Sequence, residues 1–226
     1  MSSCNTSTRV TRAVHWFRKG LRLHDNPALL EACRARTTVP LFILDPHFAT
    51  PDKIGIQRYN FLLNSLKDLD MNLRLLGSRL YVLKGNPSDV FPVLFNMWKI
   101  DMLTFETDTE PYAIARDLII EELAHEYNIE VFKSASHTLH DLDVYREHSN
   151  SSGKLQGQEL KTTYAAFIKI FSAVSSPRKP LDAPSVVRFL TYLMSITNYT
   201  DVVLHFNCVT YYNRSMKMHC RPMTAK

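Results

Sequence analysis

Five short apolar runs, each followed by a stretch in which apolar positions return every three or four residues, organise most of the chain up to Lys133. The runs Ala13–Phe17, Val39–Leu44, Leu80–Lys84, Met102–Glu106 and Glu130–Lys133 predict strands covered on both faces, because polar positions do not alternate through them. Helices are predicted between them. Pro27–Arg34 opens with Asp25 or Asn26 as cap and a proline in its first turn. From about Ile56 to Leu76, the residues Leu62, Leu66, Leu69, Leu73 and Leu76 recur at helical spacing. Pro87–Trp98 and Glu110–Tyr127 complete the set, the second with Tyr112, Ala115, Ile119, Leu123 and Tyr127 as its expected apolar face.

Strand and helix in regular alternation, joined by short loops, imply right-handed crossovers and a parallel sheet with helices on both sides. The expected fold is therefore α/β, a doubly wound five-stranded parallel sheet of order 3-2-1-4-5 with an irregular C-terminal extension. In that order the winding reverses between the first and fourth strands, and ligands meet the loops beyond their carboxyl ends. Those loops are Arg18–Asn26, with Arg18, Lys19 and Arg22, and Thr107–Pro111, which with the strand end before it carries Glu106, Asp108 and Glu110. Two readings stand side by side: the charges satisfy one another and cap two helices, or they serve a ligand. A dinucleotide cradle is disfavoured, since the first loop holds one glycine, Gly20, where a pyrophosphate fingerprint needs several.

Composition adjusts this picture at one point. The 226 residues are 45% apolar, ample for one core, and the net charge is +5. That charge is uneven. Residues 185–226 hold Arg188, Arg214, Lys217, Arg221 and Lys226 against Asp201 alone, so the body is nearly neutral and only the tail offers a weak, non-specific contact for DNA. No segment has the apolar length of a membrane span, and the polar first dozen residues lack a secretory signal. Cys4, Cys33, Cys208 and Cys220 are scattered without C-x-x-C pairing, which points to a reduced, intracellular setting, nucleus or cytoplasm. No metal site is expected; His137 and His140 have a three-residue spacing and nothing further.

The blocks "VHWFRKGLRLHDNPAL", "FILDPHF", "GIQRYNFLLNSLKDLDMNL", "SRLYVLKGNPSDVFPVLF", "LTFETDTEPYAIARD" and "SHTLHDLD" resemble, in order and spacing, the amino-terminal domain of the cryptochrome/photolyase family. Within it, "LTFETDTEPY" and Pro177–Pro180 resemble animal six-four photolyases more than clock cryptochromes. The resemblance implies a domain that holds an antenna pigment, a deazaflavin or a folate, and passes excitation to FAD in a second domain. A planar pigment needs an apolar slot and a few orienting polar groups rather than a phosphate cradle, which accounts for the missing glycines. By similarity to deazaflavin-binding members, Arg58, Phe61, Asp108 and Glu110 line the slot, near Phe17 and Asp45. Arg58 is expected to reach the Thr107–Pro111 loop and bond Asp108 or Glu110, whereas Phe61 is equally at home as core.

The resemblance covers residues 12–184. It implies an order of parts: a disordered stretch 1–12, the α/β domain 13–136, a linker-like segment 137–184, and a tail 185–226 outside the family pattern. The FAD site, the tryptophan chain and the lesion-facing histidines belong, in relatives, to a helical domain that this polypeptide is expected to lack, so catalysis by it alone is not expected. In the tail, Val187–Thr197 reads as a helix and Val202–Tyr212 as a strand. The alternative to the antenna reading is a cryptochrome-like regulator fragment that uses this domain as a protein-docking surface.

Overall fold

The computed structural model describes residues 10–50, 53–151 and 163–188. Five strands and six helices follow in the order β1 (Arg12–Phe17), α1 (Pro27–Ala32), β2 (Thr37–Leu44), α2 (Ile56–Leu75), β3 (Tyr81–Lys84), α3 (Pro87–Trp98), β4 (Met102–Glu106), α4 (Pro111–Glu126), β5 (Glu130–Ser134), α5 (Leu142–Ser151) and α6 (Tyr164–Ala173). The sheet is parallel throughout with the order 3-2-1-4-5. β1 is the central strand, with Ala13 beside Thr38 on one flank and Met102 on the other. The order is the one expected from the alternation of patterns.

Side chains alternate across the sheet and build two cores. Val14, Trp16, Leu103 and Phe105 point to one face, where Phe91, Phe95 and Trp98 of α3 and Ile120 and Ala124 of α4 cover them. Phe17, Phe42, Leu44 and Val82 point to the other, under Leu29 of α1 and Leu66, Leu69 and Leu73 of α2. The leucine repeat thus predicts the buried stripe of α2. For α4 the expected face is wrong. Ala113, Asp117, Ile120 and Ala124 are buried, while Ile119 and Tyr127 are exposed. Apolar residues fall on more than one side of this helix, and the buried side is the one on which Asp117 meets Arg18.

Local chemistry fixes the element ends. Asn26, rather than Asp25, caps α1: its Oδ1 accepts the Leu29 N–H at 2.9 Å. Pro40 sits inside β2, a poor place for a residue without an N–H. Thr38, two positions earlier, turns its N–H away from β1 to the Arg188 carbonyl at 2.8 Å, so Pro40 faces the same side. Pairing with β3 begins only at Leu41, and no ladder bond is lost there.

Two boundaries differ from expectation. β1 begins at Arg12, because the N–H groups of Thr11 and Arg12 both donate to the Asp101 carboxylate, at 3.0 and 2.8 Å; the rest of the expected disordered stretch lies outside the described residues. At the other end, residues 181–188 are laid along the domain instead of leaving it at 184. Asp25 N–H donates to Leu181 O at 2.7 Å, Val187 N–H donates to Leu76 O at 3.1 Å, and Val187 is fully buried in the α1/α2 core. The segment 137–184 contains α5 and α6, which period reading did not find. Residues 189–226, with most of the expected tail helix and all of its strand, lie outside the described residues.

Candidate functional site

The carboxyl ends of β1, β2 and β4 meet at a layer of charged groups that is largely buried. Arg18, the first residue after β1, turns inward to Asp117 of α4 at 2.6 Å, with only 5% and 10% of the two side chains exposed. Its guanidinium lies over Trp16 and Phe105, 5.1 and 4.8 Å from the ring centroids. Arg116 donates to the same Asp117 oxygen from Nε and Nη2, at 3.2 and 3.0 Å, and covers the other ring contact of Trp16 at 4.7 Å. Two guanidiniums thus lie against one indole, a cation–π arrangement that replaces lost hydration by ring quadrupole. Burial still pulls the Arg18 pKa down, against the opposing pull of Asp117. Nε and Nη2 of Arg18 are buried without a hydrogen-bond partner among the described residues.

Asp45, at the end of β2, is buried and accepts from the His47 N–H at 2.8 Å and from the Tyr112 hydroxyl at 2.7 Å. Burial and then the Asp45 bond push the Tyr112 phenol up to about 12, so it stays a donor. The Tyr112 ring stacks on His47, centroids 3.5 Å apart and nearly coplanar, which closes the β2 loop over the start of α4.

Above this layer, Lys19 bonds Asp108 at 3.0 Å and Glu110 at 2.8 Å. Burial pushes Asp108 upward, but the Lys19 bond and the N–H groups of Glu110 and Thr109 outweigh it and hold its carboxyl below the usual range. Beside them Glu106, buried at the end of β4, accepts from Ser136 Oγ and lies 3.7 Å from Arg22 Nη2 and 3.9 Å from His137 Nε2. The single glycine of the first loop has its reason here. A Cβ on Gly20 would overlap the Glu106 carboxylate, which its own bonds hold in place. Beneath, His15 is fully buried and neutral; desolvation, then Arg18, drives its pKa down to about 3. Asn26 Nδ2 donates to His15 Nε2 at 3.2 Å, so the ring proton sits on Nδ1, facing Thr104 Oγ1 at 2.9 Å.

Of the residues expected to line a slot, Asp108 and Glu110 stand together at the rim, on Lys19 and not on Arg58. Asp45 lies beneath the β2 loop and Phe17 is core. Arg58 and Phe61 are one turn apart on α2; Arg58 is exposed and pairs with no other described residue, and Phe61 is 76% exposed, so it is not core. Reading by sequence set Arg18, Lys19 and Glu106 at this end and allowed that the charges of the two loops satisfy one another, as Lys19 does with Asp108 and Glu110, but it missed Arg116, Asp117 and Tyr112. One signal was present: Asp117 interrupts the Ala113, Ile120, Ala124 rhythm, and a charge at a buried helical position demands a partner.

The family now follows. The DNA photolyase family matches residues 13–185, and this chain belongs to it. Cryptochrome-2 of Gallus gallus is 47% identical over 173 residues, 76% of this chain and 28% of its own length. Cryptochrome-1 of Erithacus rubecula is 50% identical over 173 residues, 76% of this chain and 26% of its own. The chain therefore spans about a quarter of the length of these relatives. In fold, a class III photolyase from Agrobacterium tumefaciens superposes with a TM-score of 0.68 at 23% identity, over 84% of this chain and 37% of the other. A Synechocystis cryptochrome gives 0.68 at 24%, over 79% and 37%. A photolyase from Sulfolobus tokodaii, solved with two FAD molecules, gives 0.58 at 25%, over 80% and 38%. The described helices include none long and apolar enough to cross a membrane.

Proposed function

We propose that this chain is the antenna domain of a protein resembling six-four photolyase, and that the carboxyl end of its sheet receives a planar pigment, a deazaflavin or a folate. The observation that carries the reading is the pair Arg58 and Phe61: a guanidinium and a phenyl ring, adjacent on one helix face and both turned to solvent. An exposed phenylalanine is out of place on a solvated helix and suits the face of a flat chromophore, which Arg58 covers or pairs with. Asp108 and Glu110, pinned by Lys19, supply orienting polar atoms at the edge. Phe17 and Asp45 support this surface from beneath. The pigment, when bound, supplies excitation energy; the chain holds it flat and excludes water from one face. The Sulfolobus photolyase, whose second FAD implies a light-harvesting cofactor, supports a family domain of this kind carrying a second pigment.

The test is an absorption titration of the full chain with 8-hydroxy-5-deazaflavin and, separately, with a reduced folate. A saturable, shifted band is expected for one of them. Arg58→Ala should weaken binding about five- to tenfold, the scale of one cation–π contact, with the unfolding midpoint unchanged. Silence from both pigments would end the antenna reading. Cryptochrome relatives at 47% and 50% identity then favour the second reading, a regulator fragment whose surface meets a protein.

FAD chemistry and lesion repair are assigned, in this proposal, to a part of the relatives outside this chain. Purified protein should carry no stoichiometric flavin and show no light-driven repair; one bound FAD per chain would contradict that. Weak DNA contact is assigned to the basic residues of 185–226. Neutralising Arg214, Lys217 and Arg221 should remove most of its salt-dependent retention.

A further inference from the structure

At the amino end of the sheet the chain leaves the described domain at a defined place. Val187 is plugged into the α1/α2 core with its N–H on Leu76 O, and the Arg188 carbonyl accepts from Thr38. Arg188 therefore departs at the start of β2, one residue beyond the Val187 bond to Leu76, which follows the last turn of α2. That turn carries Met71 and Leu75, four residues apart on one face, 58% and 84% exposed, and Val186 next to the plug is 57% exposed. The surrounding helix surface is polar and internally paired: Asn72 donates to Asp68, and Arg74 holds Asp70 at 2.8 Å. Met71 and Leu75 thus form an uncovered apolar pair on α2, and Val186 is a third exposed apolar side chain near the end of that helix. The sequence that follows Arg188 is Phe189-Leu190-Thr191-Tyr192-Leu193-Met194, without a charge.

We propose that Phe189–Met194 docks on the patch made by Met71, Leu75 and Val186. Reach is no obstacle, since residues extend about 3.5 Å each and the turn from Met71 to Leu76 is roughly 8 Å long. The tether raises the local concentration of the segment to the millimolar range or above, far beyond any free partner.

The experiment replaces Leu75 with photo-reactive p-benzoylphenylalanine in the full chain, with Met71 as a second position and Ile114, exposed on α4, as control. Equal amounts of isotopically light and heavy chain are mixed, irradiated, digested and read by mass spectrometry. Light–light and heavy–heavy crosslinks from positions 75 and 71 into 189–194 are expected, with none from 114, and Leu193→Asp should lower their yield several-fold. Light–heavy crosslinks would instead make the patch a contact between copies. Crosslinks to other segments, or none to 189–194, would equally overturn the proposal.

Discussion

The two ends of the sheet are closed by opposite means. At the carboxyl end, Arg18, Arg116, Asp117, Asp45 and Glu106 are buried or nearly so and held by charge-assisted bonds. At the amino end the closure is backbone and apolar: Asp101 takes two N–H groups, Arg188 takes a third, and Val187 fills the core. Burying ions adds little net stability and often less than an apolar replacement would. A fold that needed only stability would close both ends the second way. In the proposed reading the carboxyl end is the one shaped for something other than stability, and it is there that Lys19, Glu110, Arg58 and Phe61 face outward beside the largely buried Asp108.

The largest effect that sharpens the contrast is expected from Asp117→Ala. It strands Arg18 and Arg116 without their shared carboxylate and should cost about 3–5 kcal/mol, measured by denaturant unfolding. A loss below about 1 kcal/mol would mean that Arg18 turns to solvent and that the buried layer is not rigid.

Val187→Ala comes next, at about 2 kcal/mol, from two lost methyls in a closed core and the space they leave. Salt separates the two cases: 1 M NaCl should leave the Val187→Ala deficit unchanged. An unaltered stability would place residues 185–188 off the domain, restoring the boundary that the sequence suggested.

The third effect is a pH dependence. His15 is held neutral with its pKa lowered to about 3, while in the unfolded chain it titrates near 6.5. Above pH 6.5 neither state protonates it and its contribution is whole. Below that, the unfolded chain takes up a proton that the native state refuses, so stability falls at up to about 1.4 kcal/mol per pH unit until pH 3 is approached. His15→Gln should flatten that part of the slope between pH 6.5 and 5; an identical slope would show that carboxylates alone set it.

Much of the fold was legible because the central strands are mostly apolar runs and α2 carries its stripe openly in Leu66, Leu69 and Leu73. The errors have common physical causes. α4 carries apolar residues on two sides, and the buried side is the one where Asp117 meets Arg18, which follows β1 and is distant in sequence. Residues 181–188 have no period to read, and their place depends on Asp25, Leu76 and Thr38, distant in sequence. At the site, residue types were legible but pairings were not. Asp108 and Glu110 were matched to Arg58, whereas Lys19 is nearer because β1 and β4 are adjacent strands.

The most direct test of the central claim, that the carboxyl end is the ligand end, is amide NMR of the isotopically labelled full chain titrated with 8-hydroxy-5-deazaflavin and then with a reduced folate. One of them is predicted to shift amides of residues 17–22, 56–62 and 107–112, while those of Leu76, Gly77, Asp101 and Val187 stay in place. Saturable shifts centred on the amino end, or no shift with either pigment, would contradict it.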